Sequence, residues 1–355
     1  MNLHHVIFEA LYEIKLTRRN LLFNMFVFFA LLTTISFTFI SFSESDKIEF
    51  GEFYLPWVVQ ALPSSIPFMT AYYYNFVQVL MVFFMVSNDL RRLRFTTISA
   101  LEARPQDNSD TIIGKFLGRV AIFSLVNVLI YSVMICYNLI YYPRVLNISY
   151  YFFYGITLNF PVLIYFLSLS ILVSRFINNQ GISILFLLFF CVGTTICGAG
   201  VMNNLFDPFA RYIPNLFSDF VGHVQLTCFL LHQTIYLLMG ICFLILSILV
   251  YRRLPNNIHQ VRSVLVFAMF PFILSVIFIA FYMGNFMRVE RNKNEYRQFY
   301  FEYEHVLKNR VLSNEIRLRD LGKEGVAVES KMKIVNRNEE QIPVLLYLNP
   351  GLTVN

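Results

Sequence analysis

The chain has 355 residues, of which 57% are hydrophobic and only 14% are charged, and its formal net charge is +6. Ordinary soluble domains carry about 25% charged residues, so this composition excludes a typical soluble domain and indicates a membrane protein. The positive charge does not indicate a nucleic-acid partner, because the Lys and Arg residues lie beside apolar runs and form no continuous basic face.

Residues 1–20 predict an amphipathic helix that lies in the membrane interface. Apolar residues recur there at helical spacing, at Leu3, Ile7, Ala10, Leu11 and Ile14. Charged residues fill the other side, at Glu9, Glu13, Lys15 and Arg18. A helix with two such sides suits the headgroup region, and a plain membrane anchor is the alternative interpretation.

Seven apolar stretches follow, each long enough to cross a bilayer. A crossing of about 30 Å requires about 20 residues, because each helical residue adds about 1.5 Å. The stretches are residues 21–43, 68–87, 120–141, 153–173, 182–202, 228–251 and 264–287. The predicted fold class is therefore an all-α polytopic membrane protein.

The distribution of Lys and Arg between these stretches predicts their orientation, because cationic loops resist translocation. Alternate loops carry most of them: Lys15, Arg18, Arg19, Arg91, Arg92, Arg94, Arg104, Lys115, Arg119, Arg175, Arg252, Arg253 and Arg262. The other loops carry only Lys47, Arg144 and Arg211. We therefore expect a cytoplasmic N-terminus and, after an odd number of crossings, an extracytoplasmic tail.

Three connecting segments have unusual sequences. Residues 88–119, on the predicted cytoplasmic side, mix apolar and charged residues and could form a docking surface, or simply a solvated basic loop. Residues 51–65 and 204–222 are apolar but too short to cross, so we expect these outer loops to dip back into the interface or cap a cavity.

The C-terminal tail changes from a helical to an alternating pattern. Residues 288–310 continue the seventh stretch as a helix, and short strands are predicted at 315–319, 326–329, 332–335 and 343–348. So few apolar residues make a poor independent core. We expect these strands to pair with another element or to continue in a longer chain.

Uncharged polar residues within the apolar stretches are candidates for a substrate pathway: Asn75, Gln78, Asn127, Asn159 and His232. The alternative is that they form hydrogen bonds between helices. No Asp, Glu, Lys or Arg lies near the centre of a stretch, which argues against a pump with intramembrane carboxylates. Phosphate-binding and zinc-binding motifs are not found either, so we expect no enzyme activity, cofactor or metal in this chain.

Two segments resemble the ABC-2 type permease family, the membrane subunits of one class of ATP-binding-cassette transporter. FEALYEIKLTRRNLLF is similar to the elbow helix of that family, and LRRLRFTTISALEARPQDNSDTIIGKFLG is similar to its first cytoplasmic loop. The resemblance covers about residues 1–255. It implies an elbow at 1–20, a six-span unit at 21–255 with a re-entrant outer loop at 204–222, and an added seventh span within 256–287.

The resemblance also implies partners and a role. They are cytoplasmic ATPase subunits that bind ATP and magnesium, a second permease copy of the same or another sequence, and the lipid of an inner or plasma membrane. The chain would then export a substrate that the sequence does not identify. The aromatic, uncharged spans fit an amphipathic molecule slightly better than an ion. The residues expected to contact the ATPase are Arg91, Arg92, Arg94, Glu102, Arg104, Asp107 and Lys115, with Glu9 and Glu13 of the elbow as secondary contacts.

The tail resembles a different family. KMKIVNRNEEQIPVLLYLNPGLTV is similar to the early strands of the N-terminal β-domain of M1 aminopeptidases, within an extracytoplasmic segment at 311–355. No zinc motif is present, so peptidase activity is not implied for this chain. The alternative function is a membrane anchor, scaffold or force-transmitting subunit for an M1-like domain.

Overall fold

Helices account for most of the described chain. The computed structural model describes residues 2–42, 63–95, 107–177, 179–198, 200–211, 213, 217–218, 222–223, 226–251, 258–305, 310–320 and 326–335. The helices are α1 Leu3–Arg18, α2 Leu21–Phe42, α3 Ile66–Phe95, α4 Asn108–Tyr141, α5 Ile148–Tyr154, α6 Phe160–Phe176, α7 Gln180–Ile196, α8 Leu226–Val250 and α9 Ile258–Glu302. A π turn, Gly155–Asn159, joins α5 to α6.

Six of these helical segments are long and apolar enough to cross a membrane. They are Leu21–Ile40, Ile66–Asn88, Asn108–Tyr141, Ile148–Phe176, Leu226–Val250 and Val261–Glu302. The prediction of a mostly helical fold is thereby confirmed, and the six apolar helices indicate a membrane-embedded protein. α7 is apolar but has only 17 residues, which reach about 26 Å at about 1.5 Å per residue.

Several helices extend beyond the apolar stretches that predicted them. α3 continues to Phe95 and α4 begins at Asn108, so helix flanks residues 96–106 on both sides. Hydropathy marks only the apolar part, whereas a helix continues through charged residues at little cost. The predicted helix limit of 310 is too long, since α9 ends at Glu302 and a strand begins at Arg310.

Ring and polar contacts show the relative directions of several helices within the unit Met1–Gly284. α6 and α8 are parallel: Tyr165 packs against Tyr236, with ring centroids 4.8 Å apart, and Arg175 lies over the ring of Tyr251 at 4.6 Å. We call the end of the bundle that holds Arg175 and Tyr251 the basic end.

The opposite end of the bundle is closed by residues 200–211 and 213, which we call the plug.

The other helices alternate in direction between these two ends. α2 runs antiparallel to α3, because Phe26 lies on Phe84 whereas Phe37 lies on Tyr73. α9 starts at the basic end and reaches the plug, where the Tyr282 hydroxyl donates to the Asn203 carbonyl at 2.7 Å. The chain also returns from the basic end to the plug between α6 and α8, through α7.

Burial identifies the centre of the bundle. In the most apolar part of each helix, the share of buried residues is 83% for α3 and 78% for the α5–α6 segment. It is only 22% for α2 and 17% for α9. α3 and α6 are therefore the central helices, and α2 and α9 expose large apolar side chains such as Phe28 and Phe270. Such surfaces suit contact with lipid.

Two antiparallel strand pairs complete the described chain. The short pair is β1 Phe217–Ser218 with β2 Gly222–His223. The long pair, in the unit Asn285–Asn355, is β3 Arg310–Asp320 with β4 Val326–Val335. It runs from Arg310 opposite Val335 to Asp320 opposite Val326, with one register shift between Val311 and Ser313. It contains three of the four predicted short strands, and residues 343–348 lie outside the described residues.

Candidate coupling site at the basic end

The helices α1 and α4 touch backbone to backbone. A Cβ added to Gly114 would lie 2.6 Å from the Glu9 Cβ, and one added to Gly118 would lie 2.5 Å from the Ala10 carbonyl oxygen. Neither glycine can carry a side chain without moving α1. Two glycines four residues apart form one small-residue strip on a helix, which permits such close approach.

A buried ion pair locks the same crossing. Oε1 of Glu13 accepts hydrogen bonds from Nε and Nη2 of Arg119, at 2.8 Å and 2.7 Å. Glu13 is only 4% exposed and Arg119 only 5%. Because both charges are desolvated, each depends on the other, and separating them would leave a buried charge without its partner.

The first turn of α4 connects three parts of the basic end. The backbone N–H of Asn2 donates to Oδ2 of Asp110 at 3.0 Å. The amide of Asn108 donates to the carbonyl of Tyr251, just after α8, at 3.1 Å. The beginning of α1, the beginning of α4 and the end of α8 therefore form one connected group.

The predicted coupling residues are only partly brought together. Arg91, Arg92 and Arg94 lie in the last turns of α3, and their side chains are outside the description; Glu102 and Arg104 lie outside the described residues altogether. Asp107 is exposed immediately before α4, and Lys115 is half-buried.

The two elbow carboxylates differ in their surroundings. Glu9 is half-buried beside Gly114, whereas Glu13 is engaged with Arg119 and presents no exposed charge. α1 thus turns Val6, Glu13 and Thr17 towards protein, and leaves Leu3, Phe8 and Leu11 exposed. Glu13, on the packed side of α1, is therefore part of a contact within the protein.

Two of the five predicted pathway residues form one polar cluster among the central helices. The Gln78 amide donates to the Asn159 carbonyl at 3.2 Å, and Oδ1 of Asn159 accepts from the Tyr131 hydroxyl at 2.5 Å. Asn159 also donates to the Ala71 carbonyl at 3.2 Å. It occupies the end of the π turn, directly before a helix whose Pro161 has no N–H to donate.

The other pathway residues have different surroundings. Asn75 is fully buried, and neither of its amide atoms has a hydrogen-bond partner among the described residues. Asn127 is half-buried on α4. His232 belongs to the plug contact: its Nε2 lies 3.3 Å from the Asn204 carbonyl oxygen.

Side chains of α8 and α9 hold the plug by its backbone. The Tyr236 hydroxyl donates to the Leu205 carbonyl at 2.8 Å, as Tyr282 does to Asn203, and Gln233 donates to the Pro208 carbonyl at 3.4 Å. Phe209 fills the bundle end, stacked on Phe76 with ring centroids 4.4 Å apart. The plug is therefore a packed part of the bundle.

Asp207 organises the plug from within. Its two carboxylate oxygens accept from the backbone N–H groups of Phe209 and Arg211, at 3.1 Å and 2.7 Å. These two hydrogen bonds to one side chain close the turn of the plug.

Some residues of the site could not be selected by chemical type alone. Gly114, Gly118 and Arg119 form the crossing, and the G-x-x-x-G spacing is the signal that could have identified the two glycines. Tyr236 and Tyr282 carry no comparable signal, because tyrosine is abundant throughout the chain.

No group of three or more His, Cys, Asp or Glu side chains among the described residues is arranged to hold a metal ion. Comparison with models of known protein families gives no match, and comparison with curated proteins gives none.

Proposed function

We propose that this chain is the membrane-spanning permease subunit of an ABC-2 type exporter, acting with separate ATPase subunits and a second permease copy. The observation that carries the proposal is the locked crossing of α1 and α4. It lies near the start of α4, within the segment that resembles the first cytoplasmic loop of that family.

The crossing provides a route for force. An ATPase that pushes on residues 96–106 also moves the first turn of α4, and α1 must follow because Gly114 and Gly118 leave no gap between the helices. The Glu13–Arg119 pair resists sliding along this contact. α4 then carries the displacement through its 34 residues towards the far end of the bundle.

The topology that we propose has seven crossings. α6 and α8 are parallel, so the chain must return across the bundle between them, and α7 with the plug makes that return. α7 would then be the remaining crossing, with the plug completing the bilayer width that 17 residues do not reach. A cytoplasmic basic end would place the tail outside the membrane.

Charge reversal tests the docking role. We expect R92E/R94E to reduce co-purification of a Walker-motif ATPase at least tenfold, because the reversed charges in the last turns of α3 would repel the partner surface that the arginines attract. R144E is the matched control, since Arg144 is exposed in the turn after α4, at the plug end. Equal co-purification with both variants would reject the docking assignment.

The exposed strand pair favours a second candidate function. Val311, Ile316 and Leu318 of β3 are 48%, 57% and 70% exposed, which is unusual for apolar residues of a strand and suits addition of a further β-structure. In this role the membrane helices would anchor an extracytoplasmic domain. Deletion of residues 310–355 would then abolish the activity of that domain outside the membrane. Stimulation of the ATPase subunits by substrate would remain intact.

A further inference from the structure

A small cavity lies between α3, α4 and α6 at the basic end. Its walls are Val86, Ile112, Lys115, Arg119, Ile171, Ser174 and Arg175, and its volume is about 20 Å³. That is enough for one water-sized group. The lining combines aliphatic side chains with three cationic ones, so a single polar, negatively charged atom would be bound there by the cations.

The cationic wall has an excess of positive charge. Three cations line the cavity, and Glu13, paired with Arg119, supplies one negative charge. Among the described residues, Lys115 and Arg175 have no carboxylate within ion-pair distance. Two positive charges in a partly buried site, without a carboxylate partner in the described part of the chain, favour binding of an anion.

Arg175 is oriented by an aromatic ring. Its guanidinium carbon lies 4.6 Å from the centroid of Tyr251, so the ring holds the guanidinium group at the cavity wall. The N–H groups of a guanidinium match two oxygens of one phosphate. Lys115, which is half-buried, supplies a second positive charge from the neighbouring helix.

The α1 helix indicates at which depth of the membrane this cavity lies. Arg119 lines the cavity and pairs with Glu13 of α1. On the side of α1 that does not face α4, Leu3, Phe8 and Leu11 are 65%, 56% and 62% exposed. Exposed apolar residues on a helix of this kind lie at the boundary of headgroups and acyl chains, so the cavity opens near that boundary.

We propose that this cavity binds the phosphodiester headgroup of an anionic phospholipid. Arg175 and Lys115 bind the phosphate oxygens, one of which enters between the helices while the rest of the headgroup remains at the mouth. The binding of lipid here does not depend on the proposed transport function and would stabilise the contact of α4 with α6.

Lipid binding to the full-length protein in detergent tests this site. Native mass spectrometry would compare phosphatidylglycerol with phosphatidylcholine of the same acyl chains, and inorganic phosphate would be added as a competitor. For the wild-type protein we expect tighter binding of phosphatidylglycerol. K115Q/R175Q should weaken it about thirtyfold, since two basic groups near an anionic headgroup are lost. The matched control R144Q/R262Q removes two exposed cations outside the cavity and should keep wild-type affinity.

Two further variants separate lipid binding from folding. K115R/R175K retains the charges and should retain the preference for phosphatidylglycerol, and the milder K115Q should lose part of it. Equal affinity for the two lipids, an equal loss in the control variant, or displacement of the lipid by millimolar inorganic phosphate would overturn the proposal. The last result would identify a site for free phosphate.

Discussion

Glu13 and Arg119 bury opposite charges where α1 crosses α4, although they are 106 positions apart in the chain. We expect E13Q to lower the free energy of unfolding by about 3–5 kcal/mol, because Arg119 would keep its buried charge without a partner. The change would be measured as the shift in apparent unfolding temperature of the protein in detergent.

Two variants serve as controls for this residue-scale prediction. E315Q removes a carboxylate from the exposed Glu315–Arg317 pair, whose side chains are more than 60% exposed, and should cause no measurable shift. E13Q/R119Q should recover part of the loss, because neither charge remains. A wild-type unfolding temperature in E13Q would contradict the buried pair.

At the same scale, the sequence could show that Glu13 lies opposite the apolar side of α1 but not what it contacts. The helical pattern fixes which residues share a face of one helix. It contains nothing about a partner on another helix, and Arg119 was informative only as one of many cations that orient the loops. The polar residues were likewise identifiable, whereas the contact of Gln78 with the Asn159 carbonyl depends on the packing of α3.

At the scale of the element, the fit of α1 against α4 depends on two glycines. We expect G118A to separate the helices, since the new Cβ would lie 2.5 Å from the Ala10 carbonyl oxygen. Faster amide hydrogen exchange throughout α1 would report the separation. The matched control is G193A in α7, where a Cβ meets no atom within 4 Å and where alanine favours helix. Unchanged exchange in G118A would reject the close crossing.

The extent of the helices shows what hydropathy can and cannot predict. The apolar core of each long helix is found correctly, because a membrane requires a continuous apolar run. The helix ends are not predicted correctly, since α4 begins at Asn108, twelve residues before its apolar stretch. Those extra turns are held by contacts with α1 and with Tyr251, which no local pattern contains.

At the scale of the whole molecule, the alternating directions of the helices predict on which side each end lies. Single cysteines at positions 107, 144 and 333, all exposed, would be introduced by D107C, R144C and K333C after replacement of the five native cysteines. We expect membrane-impermeant thiol reagents to label R144C and K333C from one side and D107C from the other. Labelling of D107C and K333C from the same side would contradict seven crossings.

Composition was sufficient to identify a membrane protein, and the excess of Lys and Arg in alternate loops was sufficient to propose its orientation. The parallel packing of α6 and α8 was not predictable, because Tyr165 and Tyr236 are two of 21 tyrosines in the chain. That packing is what gives α7 and the plug their place in the bundle.

The plug stores conformational energy. Met202, Asn203, Asn204 and Ala210 have φ values of 46°, 56°, 64° and 51°. Asparagine tolerates this left-handed region, but methionine and alanine do so at a cost of about 1–3 kcal/mol each. The hydroxyl groups of Tyr236 and Tyr282 hold this backbone in place. Two hydrogen bonds thus hold the end of the bundle in a strained conformation. A displacement of α8 by a few ångströms would break the one to Leu205, and a similar displacement of α9 would break the one to Asn203.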